Sequence, residues 1–337
     1  MVAFGDFEPL CTNTPSYPWC NLFYRQLQKS APSILAGSSA DPASAPVGIN
    51  PVCGILKVGA NGSLANIANI IACALSMVLI LGLIFFTSRR KAAVGRVELR
   101  FLLILYFLTL PLQLLTTGSV LEQGSTALTA ITAVHAGVVA ALFWGLLANA
   151  LVATQVVEDG TASSVVPFSI FVILFFAATT YIALDVGFTF TRTFGPSNPP
   201  QSLKSIPLFV LTSIWPGVAA LLYFGLMTYI VLVVLNEARP MWFFALSAVL
   251  FVLAQLAWFL LGKVICKGSS AKIDGSFIAT LLETAAVSVL YLAWKSITEG
   301  TYGSAGFLVC LPSVMTLVFV VPSWFDYVLL PWLSRMR

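Results

Sequence analysis

The residues whose types and spacing could do chemistry are few: four cysteines, two polar residues inside apolar runs, and one pair of adjacent acids. Cys11, Cys20 and Cys53 precede the first long apolar run, and Cys266 lies between two of the last ones. Four thiols in one oxidising compartment are what two disulfides need, with three connectivities open. His135 is the chain's single histidine, with no Cys, Asp or Glu at a metal-ligand spacing. That pattern predicts a hydrogen bond between helices rather than a metal ligand. Glu283 falls inside an apolar run, where an ionised side chain is costly and suggests function by default. The alternative is a paired carboxyl that joins helices through Asn149, Gln113 or Gln255. Glu158 and Asp159 precede Gly160 and Thr161 in a short polar segment suited to a tight turn. No G-x-S-x-G, H-E-x-x-H or P-loop pattern occurs, and no lysine lies where the last span could carry a Schiff base. No catalytic residue, cofactor site or metal site is expected.

The elements that must position these groups are membrane helices. The 337 residues are 59% hydrophobic and 9% charged, with 25 Phe and 8 Trp. No single domain of this length has an interior able to hide so much apolar surface, so lipid must solvate part of it. A net charge of +4 without basic tracts interleaved with aromatics excludes nucleic acid as a partner. Seven apolar runs are long enough to cross a bilayer: Ala65 to Thr87, Leu99 to Gly118, Ala127 to Ala153, Val165 to Phe188, Ile206 to Leu235, Met241 to Val264 and Gly275 to Ile297. Pro111, Pro167, Pro207 and Pro216 fall within them and are expected to bend or end helices. The fold class is therefore all-α, a polytopic seven-helix bundle over residues 65–298 preceded by a tail, residues 1–64.

Sidedness follows from the loop after the first run, which carries Arg89, Arg90, Lys91, Arg96 and Arg100. A short loop so rich in cations stays cytoplasmic, which sends the tail to the lumenal or extracellular side. The tail lacks a charge-flanked apolar h-region, so the first run itself is expected to direct insertion. The loops after runs two, four and six then share the tail's compartment, which groups Cys11, Cys20, Cys53 and Cys266. Asn61-Gly62-Ser63 is a glycosylation sequon on that side, too close to the membrane to expect modification.

A further pattern lies in the loops. Phe4, Phe7, Cys11 and Cys20 in the tail, Ala93-Val94-Gly95-Arg96 with Glu98, and Glu158-Asp159-Gly160-Thr161 occur in order along the chain. So do Ile265-Cys266 with Gly268, Ile273-Asp274-Gly275 with Phe277, and Tyr291, Trp294, Ser296, Ile297 and Thr298. In these features, from about Met1 to Glu299, the chain resembles the fungal chitin synthase export chaperones. The resemblance implies a multi-pass protein of the endoplasmic reticulum membrane with a lumenal amino terminus. It implies a chitin synthase as client, exported for cell-wall chitin synthesis, with no enzyme activity and no small-molecule substrate. Gly95, Arg96, Glu98, Glu158, Asp159, Gly160 and Thr161 become candidates for a cytoplasmic client contact. Small residues in the fifth run, Gly217 and Gly225 either side of Leu221, would let helices approach closely.

Residues 299–337 depart from the family, whose members continue into an acidic, polar cytosolic tail. Here Ala305 to Val321 is an eighth apolar run followed by Pro-broken, Trp-rich sequence. It reads either as an extra or re-entrant segment or, preferred here, as a translated intron. Two other functions fit seven spans: a stable non-catalytic subunit travelling with the synthase to the plasma membrane, and a receptor. The loop Asn236 to Pro240 is short for coupling a receptor to a partner.

Overall fold

The computed structural model describes residues 4–37, 44–45, 48–58, 64–90, 93–118, 120–191 and 193–299. Lys91, the sequon at 61–63, and the departing segment beyond residue 299 lie outside them. Among the described residues, seven helices are long and apolar enough to span a membrane: Ile67–Arg89, Arg96–Thr117, Thr126–Ala153, Ala162–Phe188, Ile206–Val234, Ala238–Phe259 and Gly275–Thr298. They are spans one to seven below. The sixth apolar run was expected to continue to Val264, but the span stops at Phe259 and a separate short helix, Gly262–Gly268, follows. Gly262 and Gly275 are why: a Cβ on Gly275 would lie 2.3 Å from the Ala257 carbonyl and 2.8 Å from the Gly262 Cα. Only glycine lets the chain turn back so tightly against the end of span six.

Span seven is central and span four peripheral. In the most apolar stretch of each, 72% of span seven is buried inside the protein and 11% of span four. Span seven packs along spans six and one, and span three along spans four, two and five. Glycines set the closest of these approaches at Gly137, where a Cβ would meet the Thr180 hydroxyl at 2.1 Å, and at Gly187, where it would meet Thr129 at 2.5 Å. In span five, by contrast, Gly217 and Gly225 have open space where a Cβ would sit. Prolines act unevenly. Pro111 and Pro167 lie inside unbroken helices, Pro207 starts span five, and Pro216 follows a π-helical turn, Val210–Ile214, that absorbs its missing N–H.

The tail is part of the core. Glu8–Asn13 forms a first short helix, α1, and Cys20–Ser30 a second, α2. Phe7, Cys11, Cys20, Leu22, Phe23 and Leu27 are fully buried, in one cluster with Ala133 and Ala136 of span three, Ala183 and Val186 of span four, Ala254 of span six and Ala279 of span seven. Phe7 lies between Phe23, tilted at 4.9 Å, and Phe209, edge-on at 5.8 Å between ring centroids. Short antiparallel strands at Ser44–Ala45, Ile55–Val58 and Leu64–Ala65 carry the chain onward to span one. Two disulfides close this cap, Cys11 to Cys20 and Cys53 to Cys266. The second bridges 213 residues and joins the tail to the loop between spans six and seven.

Two outcomes test this architecture. Cys266→Ser should lower stability by about 2–4 kcal/mol, read as a lower thermal midpoint in detergent, with one disulfide fewer by thiol counting; an unchanged midpoint would mean the bridge does not hold the cap. Gly137→Val should cost about 1–3 kcal/mol by overpacking against span four, whereas Gly217→Ala should leave the midpoint where it is.

Candidate functional site

Three sets of groups could act: the cap, a polar belt inside the bundle, and a loop junction on the face opposite the cap. The cap is a set of polar contacts between the tail and the loops after spans two, four and six. Gln26, almost wholly buried, donates to the Val186 carbonyl at 3.0 Å and accepts from the Ser197 hydroxyl at 3.2 Å. Arg25 donates to the Gly124 carbonyl at 2.7 Å, and Asn21 to the Thr116 carbonyl at 3.1 Å. Asp274 accepts from the Ser16 hydroxyl and, at 2.5 Å, from Ser276. Burial pushes the Asp274 carboxyl above its ordinary range, and these hydrogen bonds pull the other way. Asp185 ends span four by accepting from the Thr191 backbone N–H at 2.7 Å and from its hydroxyl.

The belt knits spans one, two and seven. Asn69 donates to Thr117 at 3.0 Å and accepts from Thr280 at 2.8 Å, and Thr280 accepts from Gln113 at 2.7 Å. One turn further, Thr284 donates to Ser76 and pairs with the Tyr106 hydroxyl, both at 2.8 Å. His135 meets the Thr116 hydroxyl through Nδ1 at 3.2 Å and lies against Trp19, 5.1 Å between rings. It therefore links span three to span two and to the tail. Glu283 takes one of its three expected partners, accepting from Gln255 at 3.2 Å. Gln113 is engaged by Thr280 instead. No group of three or more His, Cys, Asp or Glu side chains able to hold a metal occurs among the described residues. Asn69, Ser76, Tyr106, Thr280 and Thr284 escaped the sequence reading. Their signal was present, since Thr280, Thr284 and Ser288 recur every fourth residue and so share one helix face.

On the opposite face, the two loop motifs meet. Asp159 Oδ2 accepts from the Gly95 N–H at 2.9 Å, and Glu98 Oε1 accepts from the Gly160 N–H at 2.9 Å and from the Ser164 hydroxyl at 2.8 Å. Gly95 (φ +68°) and Gly160 (φ +67°) both adopt left-handed backbone, which favours glycine. Trp294 of span seven completes the junction by donating to the Val94 carbonyl at 2.8 Å. Glu98 is 1% exposed, so its carboxyl serves this junction alone. Glu158 remains exposed beside it, and Arg96 donates to the Ser88 carbonyl at 3.4 Å. Thr161 donates to the Glu158 carbonyl at 2.8 Å, closing the turn. The sequence brought these residues to one face; the structure makes two of the acids a staple between loops.

The sequence profile of the chitin synthase export chaperones matches residues 3–304. A chitin synthase export chaperone of Chaetomium globosum is 30% identical over 299 residues, covering 88% of this chain and 83% of its own length. Those of Coccidioides immitis and Neurospora crassa are 26% and 27% identical over 303 and 299 residues. No solved structure matches the chain. The matched stretch takes in the cap, all seven spans and the loop junction, and the chain belongs to the chitin synthase export chaperone family.

Proposed function

We propose that this protein is a dedicated membrane chaperone that lets a chitin synthase fold in, and leave, the endoplasmic reticulum. The observation that carries the reading is the family match along the whole described bundle, together with relatives named for that role. The physical task fits. A client with many spans exposes polar groups to lipid until its helices assemble, and each such group is costly there. A bundle whose spans are tied together by internal hydrogen bonds, as spans one, two and seven are, can offer a stable apolar surface for those unfinished spans. In this reading the protein templates assembly and makes or breaks no bond.

Two independent features support a lumenal cap. Both disulfides lie on the cap face, which suits an oxidising lumen. Arg89, Arg90, Arg96 and Arg100 lie at the other face, which suits the cytoplasm. On that face the staple holds the loops after spans one and three in one arrangement and leaves Glu158 accessible to a client. Gly95, Glu98, Asp159 and Gly160 thus act by shaping the surface, and Glu158 and Arg96 by meeting the client.

In cells lacking the protein, one tagged chitin synthase should remain in the endoplasmic reticulum while a general secretory membrane marker reaches the surface; normal arrival of every synthase would refute the assignment. Glu98→Ala leaves the Gly160 N–H without its acceptor and the Ser164 hydroxyl with only the Thr161 carbonyl, at a cost of about 1–3 kcal/mol. Export of the synthase should fall while both disulfides still form, whereas Glu158→Ala should weaken co-purification of the client without lowering the thermal midpoint.

A further inference from the structure

Within the bundle lies a cavity of about 370 Å³, walled by spans two, three, five, six and seven. Its walls are mainly apolar, with Phe143, Phe224, Phe251 and Leu290 among them, and no lysine or arginine lines it among the described residues. The tail roofs it: Tyr17, Pro18 and Trp19 form its cap end, held by the Cys11–Cys20 bridge. Spans five and six meet through Tyr223, Met227, Ile230 and Phe244 near the short loop that joins them, and the cavity fills the space between them beyond that cluster. Gly217 faces this space with nothing within 4 Å of a would-be Cβ.

One polar spot is built into the wall. Glu283 and Gln255 hydrogen-bond to each other at 3.2 Å, line the cavity, and keep accessible surface at a depth where neighbouring Ala254 and Thr284 are buried. The pair uses one carboxylate oxygen and one amide hydrogen, which leaves further donor and acceptor capacity on both side chains. Trp258, 9% exposed and also lining the cavity, has an indole N–H without an acceptor among the described residues. An apolar chamber of this size with a few convergent polar groups is the form of a small-molecule site.

We propose that the cavity binds one compact, hydroxyl-bearing membrane lipid, with its hydroxyl on the Glu283–Gln255 pair and its apolar body against Phe143, Phe251 and Gly217. A hydroxyl both donates and accepts, so it complements a carboxyl and an amide at once. The absence of a cation in the wall disfavours a phosphate or carboxylate head, which would be buried unpaired. The tail closes the aqueous end, and the chamber lies between spans, so the bilayer is the source. This ligand is a bound component rather than a substrate, and the inference does not depend on the identity of the client.

The test uses the full chain with both disulfides intact in lipid nanodiscs and three photoreactive probes: a sterol with a free hydroxyl, the same sterol as its methyl ether, and a diacyl phosphatidylcholine. The free sterol should label spans five to seven saturably, with Gly217 and Gln255 in the labelled peptides, and the methyl ether should label about tenfold less, the effect of one lost buried hydrogen bond. Gly217→Phe, which fills the chamber, and Gln255→Leu, which removes the amide, should each abolish saturable labelling, while Gly217→Ala keeps it. Thermal midpoints and disulfide counts establish that each variant is folded. Equal labelling by both sterols, labelling by phosphatidylcholine at the same peptides, or undiminished labelling of a folded Gly217→Phe or Gln255→Leu variant would overturn the proposal.

Discussion

Inside a bilayer a polar side chain has no water to fall back on, and the chain is organised around that constraint. Asn69, Gln113, Thr117 and Thr280 hydrogen-bond to one another across spans one, two and seven, and removal of Asn69 or Gln113 would take away the amide that joins those spans. Lipid tails are as apolar as leucine, so helix association here cannot rest on burying apolar surface alone. Hydrogen bonds of this kind and close approaches such as Gly137 on span four supply direction and register. The centrality of span seven follows, since its Thr280 and Thr284 are the shared partners of spans one and two.

The two faces of the bundle solve the same problem by different means. On the cap face, a folded segment with its own aromatic core sits across the helix ends and offers side chains to their loops, as Gln26 does to Val186 and Ser197. On the opposite face, among the described residues, the loops bind each other through Glu98 and Asp159. One face is thus held by covalent bridges and the other by hydrogen bonds, and in the proposed orientation the covalent face is the one an oxidising lumen would maintain.

Most of the architecture was legible because membrane spans announce themselves by length and composition. The seven spans, the loop sharing of the tail's cysteines and the helix-linking role of His135 needed only hydropathy, charge and side-chain chemistry. The end of span six was misread because Val264 continues the apolar run, while the turn depends on a close backbone approach at Gly262 and Gly275 that hydropathy does not register. Spacing likewise identifies small residues such as Gly217 but not whether a neighbour fills the space they leave. The tail's burial was obscured by its overall Pro and Ser content, although Leu22, Phe23 and Leu27 of α2 share the spacing of a helix with one apolar face. The cavity left no trace in sequence, since it is a property of how spans five and six diverge.

The bridge between Cys53 and Cys266 also sets an order of events during synthesis. Cys53 emerges before the first span, but its partner follows six spans and 213 residues later. At ordinary rates of translation that interval is on the order of ten to forty seconds. Through all of it Cys53 must stay reduced or pair provisionally, and the Cys11–Cys20 loop can close alone. The cap can lock only after span six has been threaded, so a sealed bridge is a chemical record that the bundle beneath it is nearly complete.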